Sequence, residues 1–126
     1  MNMNIKGESI ESISFDFAVS FRTDKGTELR LETGFELQNP EGNVLWIAPP
    51  DFDGANELIH ALLHTRIEGA ETDPAGILRL RLRNDARISV APSPDYEAWT
   101  LNRSDGTMLT STPGGETISW GSLERE

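Results

Sequence analysis

Residues 13–22 read Ile-Ser-Phe-Asp-Phe-Ala-Val-Ser-Phe-Arg, with an apolar side chain at every odd position. Polar residues fill the even positions, and Ala18 is the one exception. Alternation with a period of two over this length predicts a half-buried β-strand. This stretch therefore places the chain among proteins built mainly from β-structure.

The β pattern continues on both sides of this stretch. Asp24-Lys25-Gly26 supplies a turn, and residues 29–37 restore the alternation, which predicts a long hairpin that bends near Gly34. Asn56 to His64 instead has apolar residues at helical spacing, with Asp51 or Asp53 available as its N-cap. We expect an α+β fold that is mainly antiparallel, with about eight or nine short strands forming a curved sheet, a sandwich or a partial barrel, and with one covering helix.

The length and composition set limits on organisation. A chain of 126 residues predicts a single domain over 1–126, and we expect residues 1–7 and 121–126 to fray. The absence of cysteine excludes disulfides and thiolate metal sites. No stretch reads as a secretory signal or as a bilayer span, so we expect a cytoplasmic protein without a membrane partner.

Charge is the strongest compositional signal. The net charge is −10, and residues 1–63 carry 11 acids against 4 bases. Such a field repels nucleic acid and attracts a basic partner, although solubility alone also explains it. The candidate contact surface for a protein partner consists of the acids in the first hairpin and its flanks, namely Asp24, Glu28, Glu32, Glu36, Glu41, Asp51 and Asp53.

The densest basic cluster contains Arg79, Arg81 and Arg83, with Arg87 close behind. The first three arginines project from one face of a predicted strand, where guanidinium groups can hold a phosphate or carboxylate through paired hydrogen bonds. The alternative is that acids on neighbouring strands pair with them. The sequence leaves an anion site and a structural role both open.

Two further sets of residues suggest binding chemistry. Glu57, His60 and His64 share the polar face of the predicted helix and could hold a metal ion, although a solvated helix face has the same composition. We predict no other cofactor. The aromatic residues Trp46, Tyr96, Trp99 and Trp120 would either line a ligand pocket or fill the core.

Motifs of catalysis are missing from the sequence. No serine lies in a Gly-x-Ser-x-Gly elbow, and Pro113-Gly114-Gly115 lacks the lysine of a phosphate-binding loop. We therefore predict that the protein is not an enzyme.

The last third of the chain has a recognisable arrangement. It runs through Pro94-Asp95-Tyr96-Glu97-Ala98-Trp99, Ser104-Asp105-Gly106 and Pro113-Gly114-Gly115-Glu116 to Trp120. This arrangement resembles a family of small bacterial proteins, frequent in actinobacteria, whose function is not established. The resemblance implies one compact domain and supplies no catalytic residues. Asn84-Asp85-Ala86 stands where that family usually has Asp-Gly-Ala, and we expect the turn to survive because Asn and Asp tolerate left-handed backbone.

Three functional hypotheses follow from these features. The first is a non-enzymatic protein-binding module, most concretely an immunity protein that neutralises a basic bacterial toxin domain. The second is a small-ligand site lined by tryptophan and tyrosine. The third is a metal site on the helix. The oligomeric state stays open at this level.

Overall fold

The computed structural model describes residues 1–48 and 56–120, without the side chains of Asn56 and Trp120. Within these residues the chain is mostly antiparallel β-structure, with eleven strands in two sheets and no closed barrel. The strands are β1 (Ile10–Phe15), β2 (Val19–Thr23), β3 (Glu28–Leu31), β4 (Phe35–Gln38), β5 (Val44–Ile47), β6 (Ile67–Thr72), β7 (Leu78–Leu82), β8 (Arg87–Val90), β9 (Trp99–Asn102), β10 (Met108–Ser111) and β11 (Thr117–Trp120).

The two sheets share one hydrophobic core. The six-stranded sheet has the order β1-β2-β3-β9-β10-β11, and the five-stranded sheet has the order β5-β4-β8-β7-β6. Buried residues of both sheets, including Phe21, Leu31 and Trp99 of the first and Phe35 and Leu80 of the second, form a single cluster. The prediction of a mainly antiparallel β fold is confirmed, and the expected strand number of eight or nine was too low.

The stretch at residues 13–22 is not one strand but a hairpin. Phe15 pairs with Val19 across a three-residue loop, in which the Asp16 carboxylate accepts a hydrogen bond of 2.8 Å from the Ala18 N–H. Phe17, expected in the core, lies at the tip of this loop and is 89% exposed. Because the loop has an odd number of residues, the side chains of Phe15 and Val19 lie on the same face of the sheet. The alternation in the sequence therefore continues through the turn without a break.

Residues 32–34 carry the chain from one sheet to the other. β3 pairs within the six-stranded sheet, whereas β4 pairs within the five-stranded sheet. The predicted bend near Gly34 is therefore the crossing between layers, and it places β4 and β5 on the sheet that carries the arginine cluster.

The predicted covering helix is wrong in extent and role. Within the described residues the helix α1 comprises Asn56–His60, which is too short to cover a sheet. After it the hydrogen bonds tighten to the i→i+3 pattern, with the Leu62 N–H donating to the Ile59 carbonyl, and His64 has a φ of +67°. This left-handed residue ends the helical path, and β6 begins three residues later at Ile67. The candidate caps Asp51 and Asp53 lie outside the described residues.

Residues 1–7, which we expected to fray, instead pack against the five-stranded sheet. Met3 and Ile5 are 1% and 2% exposed, and the Met3 N–H donates to the Ala70 carbonyl at 2.9 Å. A bridge between Asn2 and Glu71 aligns this segment with β6. The segment thus covers the β6 edge of the five-stranded sheet, whereas the second predicted tail, 121–126, lies outside the described residues.

Candidate functional site

The outer face of the five-stranded sheet brings together the charged residues of four strands. Register places Glu36, Ser89, Arg79 and Glu71 in one row across β4, β8, β7 and β6. The neighbouring row contains Gln38, Arg87, Arg81 and Gly69 on the same four strands. These two rows line a concavity of about 370 Å³.

Alternation in β7 explains why the arginines point outward. Leu78, Leu80 and Leu82 are 1–2% exposed and belong to the core, so Arg79 and Arg81 between them must lie on the opposite face. The predicted projection of these two arginines from one strand face is confirmed. Arg83 follows the end of β7 and lines a separate depression with Ser9, His64, Thr65, Arg66 and Asn84.

The arginines of the concavity differ in their partners. Arg79 forms an ion pair with Asp73, with 3.1 Å between Nη2 and Oδ2. A hydrogen bond from the Ile77 N–H, reinforced by this guanidinium, holds the pKa of the Asp73 carboxyl below its ordinary value. Arg81 and Arg87 lie directly opposite each other, and within residues 1–48 and 56–120 neither side chain forms an ion pair or hydrogen bond.

Gly69 is a member of this site that sequence reasoning missed. The register of β6 against β7 shifts between Ile67 and Gly69, so that Gly69 faces Arg81 and Glu68 has no position in the ladder. A Cβ on Gly69 would lie 3.5 Å from Nη2 of Arg81. The shift thus removes the carboxylate that was expected to pair with the arginines, and a glycine inside a strand is the sequence signal of such a bulge.

The β5 edge of the same sheet exposes apolar side chains. Val44, Leu45 and Trp46 are 57%, 37% and 67% exposed, and β5 pairs only with β4 among the described residues. The Trp46 indole nevertheless packs closely against Gly34, because a Cβ on Gly34 would overlap the ring. Trp46 and Tyr96, which is 57% exposed, line a shared groove of about 250 Å³ with Gly34 and Pro92.

The four aromatic residues therefore do not form one interior site. Trp99 is fully buried in the core, and its indole N–H has no hydrogen-bond partner among the described residues. Trp46 and Tyr96 lie on the surface, and the position of the Trp120 side chain is outside the described part of the chain. Aromatic type and spacing alone do not distinguish a core tryptophan from a surface one.

The acids proposed for partner binding are divided between the two sheets. Glu28 lies on the six-stranded sheet and pairs with Arg22 at 3.8 Å, and Asp24 lies in the turn after β2. Glu36 lies on the five-stranded sheet directly opposite Trp46, and Glu41 lies in the turn between β4 and β5. Glu32 lies between these groups, in the segment that crosses between the sheets. Asp51 and Asp53 are outside the described residues.

The residues of the suggested metal site have separate environments. Glu57 and His60 lie in α1, and the His60 ring packs against Phe15 with 5.4 Å between centroids. His64 lies beyond the helix in left-handed backbone, so the i and i+4 geometry of one helix face does not apply. Across residues 1–48 and 56–120, no group of three or more potential ligands among His, Cys, Asp and Glu comes together to hold a metal ion.

The fold and these surfaces define a small antiparallel β domain of two sheets, and the candidate site lies on the outer face of the five-stranded sheet. A model of a family of unknown function (DUF6188) matches residues 1–121, and the chain belongs to this family. Searches of curated proteins and of solved structures find no match. Within the described residues, no helix has the length and apolar character needed to span a membrane.

Proposed function

We propose that this chain is a non-enzymatic module that binds a basic protein domain, and that its most concrete form is a bacterial immunity protein bound to a cognate toxin. The observation that carries the proposal is the packing of the exposed Trp46 side chain against Gly34. This side chain is 67% exposed, yet the absence of a Cβ at Gly34 lets the indole pack against the backbone. A surface tryptophan that packs against the backbone in this way is the kind of anchor that dominates protein interfaces.

The surroundings of Trp46 support a protein partner. Tyr96 lines the same groove, and Val44, two residues before Trp46 on β5, extends the apolar surface on the same face. Trp and Tyr are enriched among the residues that contribute most to binding, and an anchor that is already ordered loses less entropy on association. This surface also has an edge strand that could accept a strand from the partner.

The charge around the groove favours a basic partner. Glu36 lies opposite Trp46, Glu41 precedes β5, Glu32 precedes the groove residue Thr33, and Glu97 follows Tyr96. Among the described residues, no lysine or arginine lines this groove. Together with the net charge of −10, this acidic rim would accelerate encounter with a basic domain in a salt-dependent manner. Of the acids named from the sequence, the proposal therefore retains Glu32, Glu36 and Glu41 as contact residues.

The experiment begins with affinity capture from the native lysate at low and moderate salt, followed by binding kinetics with the purified partner. Trp46→Ala should weaken binding about 30-fold or more, as expected for a central aromatic anchor. Charge reversal of Glu36 and Glu41 to lysine should mainly slow association. Glu11→Lys is the matched control, because Glu11 is an exposed strand acid on the six-stranded sheet.

Capture of a protein does not by itself support the proposal. The partner must be basic, must depend on Trp46 and must associate more slowly as salt rises. A partner whose affinity is unchanged by Trp46→Ala, or whose association rate is insensitive to the reversal of Glu36 and Glu41, would refute this assignment of the surface.

A further inference from the structure

The arginine concavity is separate from the Trp46 groove and requires its own explanation. The Leu82 N–H bonds the Ala86 carbonyl at 2.9 Å and closes the hairpin between β7 and β8. Arg81 and Arg87 form the next pair along the ladder, which is a non-hydrogen-bonded pair. Facing side chains come closest in pairs of this type, and like charges in this position destabilise a sheet.

The protein has the acids that would relieve this repulsion but does not place them on the two arginines. Asp73 neutralises Arg79 instead, and Glu71, which faces Arg79 in register, forms no ion pair within the described chain. Gly69 occupies the position opposite Arg81 that a carboxylate could have filled. The result is a net-acidic protein in which two arginines that line one concavity have no ion-pair or hydrogen-bond partner among the described residues.

We infer that this concavity binds a small phosphorylated molecule with hydroxyl groups, such as a sugar phosphate. The two unpaired guanidinium groups that line this concavity offer charge-assisted donors and two positive charges, which match the charge of a phosphate monoester. A volume of about 370 Å³ exceeds the need of free phosphate and falls within the range of small-molecule sites. This site goes beyond the proposed binding of a protein partner.

The flanking carboxylates define the rest of the ligand. Glu36 and Glu71 line the same concavity beside the arginine pair. They would repel a second phosphate and would accept hydrogen bonds from hydroxyl groups. A polyanion such as nucleic acid would meet both these carboxylates and the net charge of −10. The site therefore selects one phosphate attached to a body rich in hydrogen-bond donors.

The test is an NMR titration of the full chain with ribose 5-phosphate, inorganic phosphate and ribose at matched ionic strength. Backbone amides of β7 and β8 and the arginine Nε–H groups should shift in a saturable manner with ribose 5-phosphate. Arg81→Gln and Arg87→Gln should each weaken binding about tenfold or more, because each removes charge-assisted hydrogen bonds. Arg83→Gln should leave binding unchanged, since Arg83 lines a different depression.

The variants also report on the free protein. Arg81→Gln should unfold at the same or a higher temperature than the unmodified chain at low salt, because it removes one of two like charges at opposite positions of neighbouring strands. A loss of binding without a loss of folding then assigns the effect to the site. Trp46→Ala should bind ribose 5-phosphate normally, which separates this inference from the proposed protein interface.

Each other outcome overturns part or all of the inference. Equal affinity for inorganic phosphate and ribose 5-phosphate would remove the role given to Glu36 and Glu71. Saturation by ribose alone, an equal loss with Arg83→Gln, or the absence of any saturable shift at millimolar ligand would overturn the site itself. Salt-sensitive binding of single-stranded nucleic acid through the same arginines would replace the small ligand with a polyanion.

Discussion

The packing of Trp46 against Gly34 can be tested by a pair of glycine-to-alanine substitutions. Gly34 and Gly69 both lie in the five-stranded sheet region, and neither has a positive φ. Alanine is therefore allowed by the backbone at both positions. A Cβ at Gly34 would overlap the Trp46 indole, whereas a Cβ at Gly69 would meet Arg81 at an ordinary contact distance of 3.5 Å.

The magnitude follows from the buried part of the indole. Trp46 is 67% exposed, so about one third of its surface, roughly 50–80 Å², is covered in the folded protein. At about 25 cal/mol per Å² this burial contributes about 1–2 kcal/mol, which is lost when the ring is displaced. Replacing glycine with alanine stabilises by about 0.4–1 kcal/mol through the unfolded chain, and this contribution is common to both variants.

We therefore expect Gly69→Ala to be more stable than the unmodified chain and Gly34→Ala to be less stable than Gly69→Ala by about 1–2 kcal/mol. Urea unfolding measures the difference. The indole N–H resonance of Trp46, assigned with Trp46→Phe, should move in Gly34→Ala and not in Gly69→Ala. Equal stability of the two variants together with an unmoved resonance would refute the packing of Trp46 against Gly34. It would also refute the argument that Trp46 is ordered before it binds.

Three further predictions concern the fold. Asp85→Gly should raise the free energy of unfolding by about 0.5–1 kcal/mol, because Asp85 has a φ of +70° that only glycine adopts without cost; Asp85→Ala should lower it in the same urea assay. Met3→Ala should cost about 2–5 kcal/mol, because Met3 is 1% exposed, and a cost near zero would mean that residues 1–7 do fray. The pKa of Asp73 is lower in the folded protein than its ordinary value of 3.8, so the ionised carboxylate stabilises the folded state. This stabilisation is fully present when the pH is above 3.8, and it is lost as the pH falls through the lower folded pKa. The difference in thermal stability between Asp73→Asn and the unmodified chain should thus be present at neutral pH and disappear in strong acid, and a difference that persists at low pH would contradict the assignment.

The sequence predicted the class of structure and the direction of side chains within strands. Alternation placed Arg79 and Arg81 outward correctly, because the period of two is a property of the strand itself. It failed at Phe17, because a three-residue loop preserves that period while it reverses the chain. It also failed at Met3, because a segment docked on a sheet edge depends on contacts that no local pattern contains.

The site was predictable only in its arginines. Composition indicated that abundant acids on other strands, including Glu28, Glu32, Glu68 and Glu71, would pair with them. A single register shift at Gly69 changes this result, since it moves Glu68 out of the ladder and leaves Arg81 opposite a glycine. Register across strands that are distant in sequence is fixed by packing, so the unpaired state of Arg81 and Arg87 could not be predicted from composition or spacing.

Glu36 connects the two proposals, because it lies opposite Trp46 and also lines the arginine concavity. Its negative charge acts in opposite directions at the two surfaces. It attracts a basic domain toward the Trp46 groove, and it repels a second negative charge beside Arg81 and Arg87. Salt should therefore weaken both interactions. Reversal of Glu36 to lysine should lower the association rate of the protein partner and raise the affinity for inorganic phosphate. Opposite responses of two ligands to one residue would establish two sites on this sheet, whereas parallel responses would mean that one surface binds both.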